Sequence, residues 1–484
     1  MISRFGRYAS ARYRHENGSH MTDILLTHAN HLHYDCRQMQ KMQPYPPLQT
    51  MIAAAYLREK GFDVALFDTT LNAPEQGFRN ALAQYKPKLI AVCEDSFNFI
   101  AKMCLKRNRE TAWSLAAIAR EFDIPIVISS PDASDRAFEY LSHGADFAII
   151  GEPENTLLEI ARHILGLTSG DVSQIPGLCY ADRATGKTCH TAPREPEIEL
   201  NHFPVAAWDL IDVPSYRNTW INAHGFFCLN MVSSRGCPYS CNWCAKPIFG
   251  QSYRHVSARR AAEEMKYLKQ QCDPDQIWFA DDIFALSPQW INRFGDEIRR
   301  MNAQIPFEIQ SRCDLITGET ASALQGAGCI KVWMGAESGS QRILDAMEKN
   351  LRVEEIYAAR NILKRHGIRA GFFLQFGYPG ETWKDIQSTI QMVRETVPDD
   401  VGISVSYPLP GTKFYNRVAA EVNANSNWLE SGDLSVIFHA TYRSEFYSAL
   451  HDALHLEVDA LNGRNAISLD CRHLHSLWTK VHAL

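Results

Sequence analysis

A chain of 484 residues, 45% hydrophobic and 21% charged, has the composition of an ordinary globular protein and the length for two or three domains, each able to bury a core. Its 49 Lys and Arg are outnumbered by 55 Asp and Glu, a formal net charge of −6, and no basic stripe marks a nucleic-acid footprint. No apolar run approaches the length of a membrane span, so the cytoplasm is the expected setting.

Residues 1–20 differ in kind. Arg4, Arg7, Arg12 and Arg14 precede the first acid, Glu16, which reads as a transit-like segment or, better, as a disordered extension. The run Gly18-Ser-His-Met21 reads as an upstream start or a cloning scar, with Met21 a natural beginning. From there strand and helix signals alternate. Apolar runs at 24–28, 62–67, 88–93, 124–129 and 146–150 predict strands, and helical spacing at 48–60, 80–85, 113–122, 138–143 and through His163 fills the gaps. Five apolar strands separated by helices predict a doubly wound, Rossmann-like parallel sheet over residues 21–168, in which ligands bind at the strands' carboxyl ends. Those ends carry Ser96, the pair Ser129 and Ser130, and Gly151-Glu152-Pro-Glu154 leading into Asn155-Thr156; the last also reads as the start and cap of the helix through His163. His28, His31 and His33 crowd the first strand's end, but with no helical spacing or nearby carboxylate to support a metal, solvated or core-lining histidines are expected.

Residues 169–222 read as a linker rich in Thr, Pro, Arg and Glu, with a small hairpin around 182–187. A buried-strand pattern at 226–232 then runs into Ser234-Arg-Gly-Cys237-Pro-Tyr-Ser-Cys241-Asn-Trp-Cys244. Three cysteines in this tight loop suit an iron-sulfur cluster with one iron left open, and Gly236 and Pro238 suit a non-helical turn. Zinc would call for a second Cys or His pair downstream, and none follows. The other ten cysteines are scattered, as incidental thiols are in a reducing compartment.

Strand and helix signals then repeat through residues 223–415. Runs at 276–279, 306–311, 329–334, 368–376 and 401–405 end respectively at Asp281-Asp282, Arg312, Gly335-Ala-Glu337-Ser338-Gly339-Ser340, Gly377-Tyr-Pro-Gly380-Glu381-Thr382 and Tyr407-Pro-Leu-Pro-Gly411. Polar or glycine-rich strand ends are where barrel enzymes keep their chemistry, and six such strand-helix units follow one another. Residues 416–484, with aromatics at Trp428, Phe438, Tyr442, Phe446 and Tyr447, predict a small helical cap over the barrel mouth or a helix whose aromatics are core.

The triple-Cys loop, with an aromatic before its last Cys, resembles the signature of radical S-adenosylmethionine (SAM) enzymes, and the ordered strand ends behind it extend the resemblance over about residues 226–415. The resemblance implies an open, partial (β/α)6 TIM-type barrel and a 4Fe-4S cluster on Cys237, Cys241 and Cys244 whose fourth iron is chelated by SAM. It implies that Asp281 or Asp282 accepts from the SAM ammonium, against a reading as surface carboxylates capping the helix at Ser287. Arg312 would meet the SAM carboxylate, or pair with Asp314. Glu337 and Ser338 would bind the ribose, Gly339 would admit the ligand closely, and Ser340 would cap the next helix. Gly377 would shape a turn beneath the adenine, with Thr382 capping the helix that follows.

The five-strand domain ahead of the cluster loop resembles the cobalamin-binding domain of one radical SAM subclass, implying cobalamin against Ser96, Ser129, Ser130, Gly151 and Glu152. The Asp-x-His-x-x-Gly pattern of classical cobalamin domains is missing, so cobalamin without a protein His ligand is expected. The resemblance reaches class B-type methyltransferases and, through the tail, the anaerobic magnesium-protoporphyrin IX monomethyl ester cyclase. It implies C-methylation of an unactivated carbon in a small-molecule substrate, or oxidative cyclisation, with an electron donor such as flavodoxin or ferredoxin. A cobalamin-free radical SAM enzyme and a non-enzymatic corrinoid or redox sensor are the rival readings.

Overall fold

The computed structural model describes residues 21–182, 186–244, 248–284, 286–422, 427–464 and 471–484; the expectation for residues 1–20 falls outside them. Short apolar runs with both faces covered become central parallel strands: β1 (Ile24–Thr27), β2 (Val64–Phe67), β3 (Leu89–Cys93), β4 (Ile126–Ser129) and β5 (Phe147–Ile149) lie in the order β2-β1-β3-β4-β5, all parallel. A hairpin of β6 (Leu178–Ala181) and β7 (Thr188–His190) adds two antiparallel strands at the β5 edge. The strand order reverses between β1 and β3, the switch point where doubly wound sheets bind ligands. The predicted helix at 138–143 is longer, Pro131–Ser142: Ser130 caps it, accepting from the Ala133 N–H at 2.8 Å, with Pro131 at its first position.

The second sheet is β8 (Cys228–Met231), β11 (Gln276–Phe279), β12 (Phe307–Ser311), β13 (Cys329–Glu337), β14 (Arg369–Phe376) and β15 (Asp400–Val405), side by side in that order and wholly parallel. A short antiparallel pair, β9 (Ser234–Arg235) and β10 (Arg254–His255), carries the cysteine loop beyond β8. This is the expected partial barrel, with helices on its outer face.

The carboxyl ends of the two sheets meet. Phe97, after β3, stacks on Phe249 of the cysteine loop at 4.8 Å between centroids, and Lys102 pairs with Asp282 after β11. The tail crosses back to the first sheet: Ser431 donates to Asp35 through its N–H at 2.7 Å and its hydroxyl at 2.9 Å. Its aromatics Trp428, Phe446 and Tyr447 are buried in the core, the last two on the helix Ser444–Leu461. Among the described residues no helix is long and apolar enough to cross a membrane.

Candidate active site

The cysteine loop is set by its backbone. Gly236 has φ +78°, and a Cβ there would lie 2.2 Å from the Ser252 carbonyl oxygen and 2.9 Å from that of Phe249, so only glycine closes the loop. Asn242, between Cys241 and Trp243, is the loop's pin. Its N–H donates to Met347 O at 3.0 Å and its amide to Ala346 O at 2.8 Å, while it accepts from Phe414 N–H at 2.9 Å and the Tyr378 hydroxyl at 3.0 Å. Cys237, Cys241 and Cys244 are all half-buried. Among the described residues no three His, Cys, Asp or Glu side chains gather at one point; what the chain supplies is a fixed loop with three thiols at the barrel mouth.

Cations surround that loop. The Arg312 guanidinium lies 3.7 Å from the Cys241 sulfur and 3.9 Å over the Tyr239 ring, and it donates to Lys349 O at 2.8 Å and Asp314 at 2.9 Å. The Asp314 ion pair read from sequence is present, and Arg312 also ties β12 to the cysteine loop. Lys349 donates to Glu337 at 2.7 Å, both side chains buried. Burial pulls the Lys349 ammonium down, but Glu337 and then Cys241 hold it above the ordinary lysine range. Negative charge on sulfur is therefore compensated, which suits thiolate ligands.

The strand ends divide into facing groups and supports. Asp281 is wholly buried; it accepts from Ser233 N–H at 3.1 Å, from the Ser233 hydroxyl at 2.8 Å and from the Ser234 hydroxyl. It is neither a surface carboxylate nor a cap; Ser287 caps its own helix by accepting from Trp290 N–H at 3.2 Å. Burial, partly offset by those serines, lifts Asp281 to about 6. Asp282 faces the first domain through Lys102.

Glu337 ends β13 in the left-handed region, φ +60°, at a shift in the pairing with β14, a strained conformation of the kind found at functional sites. Ser338 is buried with its hydroxyl against Thr389 at 3.1 Å, and Gly339 approaches the Ser388 carbonyl, 2.4 Å from where a Cβ would be, so its close approach is to a helix backbone. Ser340 stands at the head of its helix but donates its hydroxyl to Asp385 at 2.7 Å. Gly377, φ +75°, donates its N–H to Glu381 at 2.6 Å, and Thr382 caps the following helix with Asp385 in a reciprocal box.

On the first domain, Ser96 and Ser129 are buried and Ser130 is the cap already described. Gly151, φ +86°, has open space where a Cβ would stand. Glu152 pairs with Arg235 at 2.7 Å and Arg254 at 2.6 Å, and Glu154 with Arg235 at 2.5 Å, joining this strand end to the cysteine loop. His28 is core-lining, with Asp68 at 2.9 Å and the Thr69 hydroxyl at 3.1 Å; the carboxylate comes from the end of β2, forty residues on. His31 is buried against Thr69 O at 2.7 Å and His33 is exposed. At the switch point a small cavity is lined by His28, Tyr45, Thr70, Glu94 and Asp95. There the Thr70 hydroxyl and one Glu94 oxygen have no partner, and burial pushes Glu94 up to about 7.

Sequence reasoning gave no role to Arg235, Asn242, Lys349, Glu381 or Lys102. Arg235, Asn242 and Glu381 lie inside quoted motifs, so adjacency to Cys237, Cys241 and Gly377 was the available signal; Lys349 and Lys102 carried none.

Residues 231–393 match the radical SAM superfamily. Among curated relatives, an uncharacterised methyltransferase of Pyrococcus horikoshii is 28% identical over 58% of this chain and 60% of its own length. An anaerobic magnesium-protoporphyrin IX monomethyl ester cyclase of Rubrivivax gelatinosus is 24% identical over 78% and 67%. The match thus spans less than two thirds of the Pyrococcus protein. Among solved structures, the radical S-adenosylmethionine methyltransferase TsrM of Kitasatospora setae, described with cobalamin and a [4Fe-4S] cluster bound, superposes with TM-score 0.68 at 20% identity over 83% of this chain and 78% of its own. The cobalamin-dependent radical enzyme OxsB superposes with TM-score 0.70 at 18% identity over 91% and 67%; at such identities the likeness is one of fold. With a fixed three-cysteine loop at the mouth of a parallel partial barrel, and the superfamily match running from β8 to the helix after β14, residues 231–393 of this chain form a radical SAM domain.

Proposed function

We propose that this chain modifies an unactivated carbon of a small-molecule substrate by radical SAM chemistry, with cobalamin on its first domain delivering a methyl group. The observation that carries the reading is the meeting of the two carboxyl ends, through Arg235 with Glu152 and Glu154 and through Lys102 with Asp282. A ligand at the carboxyl ends of the first sheet would thereby face one held at the mouth of the barrel. When bound, the cluster and SAM supply a carbon-centred radical and cobalamin supplies a methyl group, chemistry no side chain provides.

The chain's own residues hold and orient. Cys237, Cys241 and Cys244 are the cluster ligands, with Arg312 and Lys349 balancing their charge. Glu337 and the turn at Gly377 face SAM, Glu337 held by Lys349 and the turn by Glu381, while Asp281 fixes Ser233 and Ser234 ahead of the cysteine loop and Asp282 pairs with Lys102 of the first domain. Ser96, Ser129, Ser130 and Gly151 edge the cobalamin surface, and the unpartnered Thr70 and Glu94 oxygens at the switch point suit a ligand bearing N–H or O–H groups. His28, held by Asp68 and Thr69, is withheld from cobalt. An electron donor of flavodoxin or ferredoxin type completes the reaction. The cyclase likeness over 78% of the chain favours oxidative ring closure as the second reading.

The test is anaerobic reconstitution, dithionite reduction and assay of 5′-deoxyadenosine. The protein should form it and Cys241→Ala should not. No cleavage by the intact protein refutes the proposal, and cleavage without a retained corrinoid absorption band removes its cobalamin half.

A further inference from the structure

The barrel's inner face is filled only in part: at β8 the first domain covers it, Pro46 O accepting from the Asn230 amide at 3.0 Å and the Tyr45 hydroxyl lying 3.6 Å from the Cys228 sulfur. In closed barrels inward side chains are bulky and packed in layers, but here Trp278, Gln310, Trp333, Phe373 and Ser404 stay half-exposed in mid-sheet. The alternating Ile277, Ile309, Val332, Phe372 and Ile403 are buried against the helices. Two inner rings recline along the wall. A Cβ on Gly371 of the neighbouring strand would sit 2.5 Å from the Trp333 ring, and one on Gly402 would sit 3.0 Å from Phe373, so glycine on each next strand is what lets the ring lie down. The two rings stack at 5.0 Å and 18°, Trp333 Nε1 donates to Glu308 at 3.2 Å and Lys331 Nζ lies 4.2 Å from the Trp333 ring centroid, so the indole is fixed and Phe373 is the end of the stack that a ligand ring can extend. A core aromatic pair has no need of accessible surface; a shelf for a ligand does.

Two residues beyond Phe373, toward the mouth, Gln375 is 94% removed from solvent. Its amide nitrogen donates to Ser406 at 3.2 Å, and its oxygen has no partner. Such a group is costly to bury unless something answers it. We infer that the lumen takes a flat, ring-bearing substrate, its ring on the Trp333–Phe373 shelf and an N–H or O–H donor on the Gln375 amide. This names a substrate class for the radical SAM reaction proposed above and rests on that reading.

The experiment is saturation-transfer NMR on the full, cluster-reconstituted chain with three probes: indole, benzofuran, which lacks the N–H, and cyclohexanol, which lacks the ring. Indole should bind most tightly and cyclohexanol least. Phe373→Leu, which keeps apolar volume, should weaken indole and benzofuran alike by roughly three- to tenfold. Gln375→Leu should leave benzofuran and erase indole's advantage. Gly371→Val, which lifts the Trp333 ring off the wall, should weaken both. Cyclohexanol binding as well as indole, or an order that no variant changes, overturns the inference. With SAM cleavage by the intact protein measured alongside, cleavage without ring preference sinks this inference alone, and ring preference without cleavage sinks the proposed function alone.

Discussion

Arg235 joins the two domains two residues ahead of the first cluster cysteine. It is 3% exposed, with Glu152 at 2.7 Å, Glu154 at 2.5 Å and the ring of Phe203 4.8 Å from its guanidinium carbon. With Arg254 on Glu152 at 2.6 Å, two cations face two anions in a buried, neutral set. Arg235→Met keeps the apolar stem and removes the charge. Glu152 then keeps Arg254, and Glu154 keeps the Gln49 amide at 2.7 Å, so the loss belongs at the low end of the about 3–5 kcal/mol for breaking a buried pair. About 3 kcal/mol corresponds to a fall of roughly 6–12 °C in melting temperature for a domain of this size. Since a two-domain chain need not melt in one step, the comparison is between apparent midpoints in thermal scans, with iron content measured on the same samples. Adding Glu154→Gln, which removes the orphaned charge but keeps a partner for Gln49, should recover at least half of the fall. A variant melting within about 1 °C of the parent, or a double variant no better than the single, would refute the buried-network account.

Gly236→Ala forces a Cβ to within 2.2 Å of a carbonyl oxygen at a left-handed φ, so the protein should fold but hold markedly less iron and sulfide after reconstitution, read by chemical iron analysis. Lys102→Met removes one partner of an ion pair only 17% and 14% exposed and leaves the Asp282 charge unanswered, which should cost about 1–3 kcal/mol; a thermal midpoint within about 1 °C of the parent would show that the bridge adds nothing to the domain contact. Glu381 is wholly buried with one unpartnered oxygen, and burial, eased by the Gly377 N–H, lifts it to about 8 from 4.5. The folded state therefore holds a proton that the unfolded state has released. Stability should fall as pH rises from about 4.5 to 8, by ~3–5 kcal/mol over the interval. Glu381→Gln should flatten that dependence in urea titrations across pH, and a steeper or reversed slope would contradict it.

Periodicity and apolar runs sufficed for both sheets because buried parallel strands advertise themselves by composition alone. What they missed were junctions. The helix that apolar spacing shows only from 138 begins at Pro131, and β13 runs on to Glu337 because cross-strand pairing with Leu374 overrides the glycine at 335. The hairpin after residue 177 docks on the β5 edge through backbone pairing, which no side-chain pattern announces.

The site was legible where chemistry is local and opaque where it is relational. Three cysteines in one loop declare themselves; a carboxylate at a strand end does not say which way it faces. Asp281 and Asp282 are adjacent, yet one turns back to hold Ser233 and Ser234 while the other reaches the first domain. The same holds for Glu152, which as a strand-end acid reads as a ligand contact but faces two arginines that arrive from β9 and β10, about a hundred residues away. His28 is the converse: its carboxylate partner was invisible because Asp68 lies on another strand. Alternation within a strand separates inward from outward, but the partner across the gap is set by how strands are ordered, and that order is a property of the fold. Strand-end residues in such barrels are therefore better sorted by which hydrogen-bonding groups remain unanswered once the sheet is assembled. By that criterion the Gln375 amide oxygen and the Thr70 and Glu94 oxygens, which the sequence did not single out, are among the buried atoms left without a partner and so candidates to meet a ligand.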